Sequence, residues 1–405
     1  MDPTPVDDAS AHPDAQRAPS VRRTPATRRR GRLGRRVLPW VAGGLGVLLL
    51  VTGGTAYAAY RRLDGNIQTR NVTSLLGQSR PRDVVQKDLN ILVAGSDSRA
   101  GLSASFGTGL TTQQSDTLLV LHVAADRRWA TVVSFPRDSW VTIPRCTRGD
   151  GTVSTKQEGK INEAFSIGSS DGGGKAGGAA CAIKTIERTT GLRIDHYVVV
   201  DFAGFAGMVK ALGGVPVCLP TAVNDPKSHL NLPAGRSVVS GGQALAFVRA
   251  RHNIGDGSDL GRIKRQQQFM ASLATTAESK LYDAPAIYRF LDAATKSLST
   301  DPELGSLTAL YNLATSLRGI PRSDLTFVTV PNHPRADVVP SDTANVLWQR
   351  AEARALFESL IHDQEPVTTT SDSRATAAPS SGSTAGAGST APLQARTADE
   401  DVCAG

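Results

Sequence analysis

Between Val37 and Tyr60 lie 24 consecutive uncharged residues (VLPWVAGGLGVLLLVTGGTAYAAY), directly preceded by Arg28, Arg29, Arg30, Arg32, Arg35 and Arg36. At ~1.5 Å per residue a helix of that length crosses a ~30 Å hydrocarbon layer. Trp40 at one end and Tyr57 and Tyr60 at the other are placed like interfacial aromatics. The arginine excess before the run predicts a single pass through the cell membrane, with residues 1–36 cytoplasmic and everything after about Arg61 extracellular. A cleaved signal peptide ending in the small residues of Thr55–Ala59 is the competing reading. The run exceeds the ~7–15 residues of a usual signal core, which favours a retained anchor.

The basic arm also explains the charge balance. Residues 1–36 carry 9 Arg and 4 Asp, so only +3 of the formal net charge of +8 belongs to the other 369 residues. The distributed basic stripe that nucleic-acid binding needs is missing, and no nucleic-acid partner is expected. After the anchor, 61–87 reads as an extracellular linker and 88–363 as the folded domain. Residues 364–405, rich in Thr, Ser, Ala, Gly and Pro, read as a low-complexity disordered tail. All four cysteines, Cys146, Cys181, Cys218 and Cys403, follow the anchor, where disulfides persist. They allow three connectivities; Cys146 and Cys181, which bracket a Gly/Ser-rich stretch, are the first pair to expect. The seven histidines show no zinc-ligand spacing.

Short apolar runs at Leu89–Ala94, Thr117–Val123, Trp129–Phe135, His196–Val200 and Leu325–Val330 predict strands, the second and third forming a hairpin through Ala125–Arg128. Helical patterns cover 175–190, 201–212, 258–280, 284–298, 303–318 and 342–361. This interleaving predicts an α/β fold of α-β-α type, a central mixed sheet with helices on both faces.

Charged residues fall at the strand ends. Asp97 and Arg99 follow the first strand, Asp116 precedes the second, and Arg137 and Asp138 follow the third. An antiparallel first pair and a hairpin would gather all of them at one rim. On the helix from Ser258, Ile263, Met270, Leu273, Ala274, Ala277 and Leu281 form one apolar stripe at ~100° per residue. Asp259, Arg262 and Gln266 continue that stripe, while Arg265 points away; Arg249 and Arg251 are close enough in sequence to join. Arginine forks match phosphate oxygens and stay charged when partly buried. Paired aspartates supply hard oxygen ligands for Mg²⁺ beside substrate phosphates. With apolar surface adjoining, the set describes a site for a pyrophosphate on a lipid tail. Each residue alone also fits an ordinary ion pair, and aliphatic stripes at helical spacing are more often plain core.

The series Asn90–Arg99 (NILVAGSDSR), Ser115-Asp116-Thr117, Phe135-Pro136-Arg137-Asp138, Lys160-Ile161-Asn162, Leu212–Val215, Ala246–Arg251 and Asp259–Gln267 (DLGRIKRQQ) resembles the LytR-CpsA-Psr family of cell-envelope proteins over residues 88 to about 280. The resemblance implies an apolar lipid tunnel and a membrane-anchored phosphotransferase. Its donor would be a glycopolymer linked through pyrophosphate to a polyprenyl carrier, and its acceptor a peptidoglycan sugar hydroxyl. By motif, Asp97 and Asp116 would hold Mg²⁺ (Mn²⁺ is the alternative). Arg99, Arg137, Lys160, Arg249, Arg251, Arg262 and Gln266 would bind the pyrophosphate. Arg99, Arg137, Asp138, Lys160, Asp259 and Arg262 would serve the chemistry, the general base being Asp97, Asp138 or Asp259. A hydrolase of the same pyrophosphate and a non-catalytic lipid-binding regulator are the alternatives.

Overall fold

The computed structural model describes residues 33–96, 115–226, 228–250, 254, 259–280, 282–370 and 393–398. The chain divides into a short unit, Met1–Tyr57, and a compact one, Ala58–Gly405. The short unit holds most of α1 (Leu33–Asn66), whose segment Gly43–Asn66 is long and apolar enough to cross a membrane.

In chain order the remaining elements begin with β1 (Gln68–Thr69), α2 (Thr73–Leu76), β2 (Leu89–Ser96), β3 (Ser115–Val123), β4 (Ala130–Phe135), β5 (Trp140–Ile143), β6 (Gln157–Lys160), α3 (Glu163–Ser169), α4 (Gly174–Thr190), β7 (His196–Asp201) and α5 (Phe202–Ala211). They continue with β8 (Val215–Leu219), β9 (Val223–Asp225), β10 (Leu230–Leu232), β11 (Gly235–Val239), α6 (Gly241–Arg249), α7 (Asp259–Ser279), α8 (Ala284–Ser297), β12 (Leu298–Thr300) and α9 (Leu307–Arg318). The last are β13 (Leu325–Thr329), β14 (Asn332–Pro334), β15 (Val346–Trp348), α10 (Arg350–Ile361), β16 (Thr368–Thr370) and β17 (Leu393–Thr397).

Nine strands form one sheet in the order β1-β12-β7-β2-β3-β4-β13-β17-β16. It is mixed: β2 pairs with β7 and β4 with β13 in parallel, while β2–β3 and β3–β4 are antiparallel. The period-2 alternation of a strand sorts its side chains between two faces. Leu118 and Val120 join Leu92, Val133, Phe165, Ile183 and Leu356 in the core beneath α3, α4 and α10. Leu119 faces the other way, with Val132, Phe327 and Ala271 of α7. Helices thus cover both faces, as the interleaved pattern predicts.

In one layer α3 and α4 touch backbone to backbone. A Cβ on Gly177 would lie 2.2 Å from the Gly168 carbonyl oxygen, so only glycine fits. The expected Cys146–Cys181 disulfide ties the segment after β5 to α4. Cys218 is disulfide-bonded too, and Cys403 lies outside the described residues.

Four expectations need correction. Residues 61–87 are not simply a linker, because Leu63, Ile67, Val72 and Leu76 are buried and α1 runs on to Asn66. Part of the expected disordered tail forms β16 and β17, whose backbone groups pair at the β13 edge irrespective of side-chain size. The helix expected from 342 starts at Arg350, since Val346–Trp348 pairs with β14 instead. On α7, Met270 and Ala274 are exposed whereas Arg265 is buried, its guanidinium donating to the Ala250 carbonyl. That helix packs against the sheet and against α6, so its covered face is not the one a single stripe gives.

Candidate active site

The turn after β4 is held from several sides. Ser139 N donates to the Pro136 carbonyl at 2.9 Å, Ile161 N to Ser139 O at 2.9 Å, and Val346 N to Asp138 O at 3.1 Å. Trp348 Nε1 donates to Ser139 Oγ at 2.9 Å. Backbone fixed this way presents Arg137 and Asp138 with little freedom. The β5–β6 register sets Lys160 opposite Trp140, which brings Lys160 Nζ within 2.7 Å of Asp138 Oδ1.

Asp259 opens α7, where the helix dipole favours a carboxylate. Its Oδ1 lies 2.5 Å from Arg262 Nη2 one turn on and 3.8 Å from Arg137 Nε. Arg137 Nε is also 3.5 Å from Asp138 Oδ2. The result is one alternating chain, Lys160–Asp138–Arg137–Asp259–Arg262, with three cations to two anions. Burial pushes the Asp259 carboxyl above its usual range and Asp138 adds to this, against the opposing pull of Arg262 and Arg137.

The other predicted residues distribute along the same rim. Gln266 donates from Nε2 to Thr117 Oγ1 at 3.2 Å and to the Val248 carbonyl at 3.0 Å, joining the start of β3 to the end of α6. Arg249 stacks over the Phe202 ring, 4.7 Å from its centroid, at the end of β7. Asp116 belongs to β3 beside the irregularity between Gly95 and Ser96, where Ser96 pairs with Ser115. Asp97, Arg99 and Arg251 lie outside the described residues.

Four further participants are absent from the sequence-predicted set. Gln267 Nε2 reaches Ser134 Oγ at 3.0 Å and anchors α7 to the sheet. Trp348 acts through Ser139, a partner no local pattern reveals. Lys175 and Asp201 pair at 2.9 Å, and Asp201, directly after an apolar strand, obeys the same rule that found Asp97 and Arg137.

These features define a class: a doubly covered mixed sheet whose strand ends gather paired arginine, lysine and aspartate side chains suited to oxyanions. The family model for LytR_cpsA_psr matches residues 55–359, and the chain belongs to that family. It is 31% identical over 74% of its length to the Corynebacterium glutamicum protein named cell wall biosynthesis protein LcpA, and the match spans 60% of that relative. It is 30% identical to the Oceanobacillus iheyensis polyisoprenyl-teichoic acid–peptidoglycan teichoic acid transferase TagU, over 78% of this chain and 89% of the other. In fold it resembles the LytR-Csp2A-Psr enzyme from Actinomyces oris, with a TM-score of 0.52, 18% identity, and 73% and 96% of the two chains covered.

Proposed function

We propose that this protein is a membrane-anchored phosphotransferase, its N-terminus cytoplasmic and its domain extracellular. It would move a glycopolymer from a polyprenyl-pyrophosphate carrier to a peptidoglycan sugar hydroxyl. The observation that carries this reading is the alternating charge chain from Lys160 to Arg262, set at the rim beside a helical layer that leaves apolar surface uncovered. In that layer Phe205 of α5, Leu273 of α7 and Ile287 and Phe290 of α8 are half-buried, and Met270 of α7 is exposed. The names of the relatives, which speak of wall biosynthesis and of transfer to peptidoglycan, support the same reading.

The acceptor oxygen attacks the sugar-linked phosphorus. The bond from that phosphorus to the bridging oxygen breaks, and polyprenyl phosphate departs with the electron pair. Arg137, Arg262 and Lys160 neutralise charge spread over the phosphoryl oxygens, with Arg249 and Arg251 as further cations, so catalysis is mainly positioning and electrostatics. Asp259 takes the hydroxyl proton, since a carboxylate with raised affinity for a proton is the better base. By motif, Asp97 and Asp116 would hold Mg²⁺ or Mn²⁺, carboxylates being the hard oxygen donors such ions take. When bound, such an ion supplies Lewis-acid stabilisation of the leaving phosphate.

The test is product analysis with full-length protein, a polyprenyl-pyrophosphate-linked saccharide and peptidoglycan. A saccharide joined to peptidoglycan through a phosphodiester is expected. Release of free saccharide phosphate at the same rate with and without peptidoglycan would mean hydrolysis, and no turnover would favour a binding role.

A further inference from the structure

A cleft of about 710 Å³ lies at the β1 edge of the main sheet, between the Gln68–Asn71 segment and the first turn of α4. Arg70, Arg148 and Lys175 line it together with Ser299 and Gly172, Gly173 and Gly174. Backbone contacts fix both walls. Arg70 N donates to the Thr300 carbonyl at 3.0 Å, and the Tyr197 hydroxyl donates to the Arg70 carbonyl at 2.8 Å. Opposite, the turn bearing Arg148 lies against the start of α4, where a Cβ on Gly149 would fall 2.0 Å from the Gly173 nitrogen.

The cations of the cleft are unequally engaged. Arg148 Nε lies 3.6 Å from Asp171 Oδ2, and Lys175 Nζ 2.9 Å from Asp201 Oδ2. Arg70 is exposed, and its guanidinium makes no ion pair or hydrogen bond among the described residues. One positive charge is therefore in excess among them. The start of α4 adds to it: the N–H groups of Gly174, Lys175 and Ala176 have no acceptor within the helix, and no acidic residue stands in its first turn. Gly172 and Gly174 put no side chain between this backbone and solvent, and a Cβ on either would meet open space. The cleft suits an anion and has room for more than a bare ion.

We propose that this cleft binds the phosphate of an anionic phospholipid headgroup, from the bilayer that α1 crosses. The inference rests on the membrane-anchored reading and goes beyond it, since it gives a bulk lipid a site outside the reaction centre. Chain length sets the height of the cleft. From Tyr60, the last residue of the uncharged run, to Asn66 the helix rises ~9 Å at most, and Gln68 follows within ~7 Å of chain. The headgroup layer is itself ~5–8 Å deep on each side of the hydrocarbon. Arg70 and its neighbours therefore stand close above phosphate groups that the bilayer presents at high density, and basic clusters so placed take anionic headgroups. Guanidinium forks match phosphate oxygens bidentately. A headgroup held there would fix the domain at one height and one rotation over the membrane.

The test uses the full chain in neutral detergent, with Arg70→Glu, Arg70→Lys and Arg137→Ala variants. Binding of phosphatidylglycerol, and of phosphatidylcholine with the same acyl chains, is titrated by native mass spectrometry, and inorganic phosphate serves as competitor. The wild type is expected to prefer phosphatidylglycerol, and Arg70→Glu to weaken its binding about tenfold with the melting temperature unchanged. Arg70→Lys should largely retain it, and Arg137→Ala should leave it as in the wild type. Equal affinity of the wild type and Arg70→Glu for phosphatidylglycerol, or of the wild type for the two lipids, overturns the proposal. So does loss of binding in Arg137→Ala, which would move the lipid to the reaction site, or inorganic phosphate binding as tightly as the lipid, which would make this a free-phosphate site. Extraction of the chain from membranes by alkaline carbonate, with Arg70-dependent lipid binding intact, would instead sink the anchored reading and leave the cleft assignment standing.

Discussion

Arg137 Nε lies 3.8 Å from Asp259 Oδ1, linking the turn after a strand to the first turn of a helix far along the chain. Because Arg262 grips the same carboxylate oxygen at 2.5 Å, two guanidinium groups are ordered around one anion before any substrate arrives. Little reorganisation then remains when phosphate oxygens bind, the condition under which fixed charges stabilise a transition state best.

Burial separates the effects of the two arginines. The Arg137 side chain is 22% exposed and Arg262 only 3%. Arg137→Ala should lower kcat at least ~100-fold while costing under ~1 kcal/mol of stability. Arg262→Ala should lower kcat as much, and removing it also strands a buried Asp259 charge, which costs about 3 kcal/mol. Turnover and denaturant midpoints on both variants check this; wild-type turnover in either would remove that residue from the site.

With Asp259 as base, the rate should rise with pH as this carboxyl ionises. Burial places that rise above the usual carboxylate range. Asp259→Asn should lower kcat about 100- to 10,000-fold and abolish the acid limb of the pH profile. A variant that keeps the limb would pass the role to Asp138 or Asp97.

Removal of divalent metal should slow transfer, and Mg²⁺ should restore it. Asp116→Asn should raise the Mg²⁺ concentration needed for half-maximal rate about tenfold or more, because one hard charged ligand becomes a neutral one. Metal-independent turnover would strike Asp97 and Asp116 from the ligand set.

How much of this was legible before the structure depends on the range of each interaction. The continuous apolar runs around Leu92, Val120 and Val133 announce strands buried on both faces. Charges immediately after such runs mark a rim, which is why Arg137 and Asp138 were found. Arg265 was misplaced because a helical wheel assumes one covered face and cannot see α6. The Trp348–Ser139 contact joins residues 209 apart, and no periodicity encodes that. The edge strands Thr368–Thr370 and Leu393–Thr397 were hidden because sheet-edge pairing draws on backbone groups that every sequence has.

At the opposite rim, Asp88 tests whether burial alone governs a carboxyl there. Its pKa is raised from 3.8 to about 6, chiefly by burial and then by Asp195. A group that holds its proton more tightly when folded adds stability below its unfolded pKa, and loses it as pH rises through the folded one. Above about pH 6 the ionised Asp88 therefore destabilises the native state. Asn keeps an oxygen to accept from Asn90 Nδ2, 3.1 Å away, without the charge. Asp88→Asn should thus stabilise the domain by about 1–2 kcal/mol at pH 7.5, with the gain fading toward pH 4. Urea midpoints at the two pH values check this; a gain that does not depend on pH would show that packing, not ionisation, sets the energy of this site.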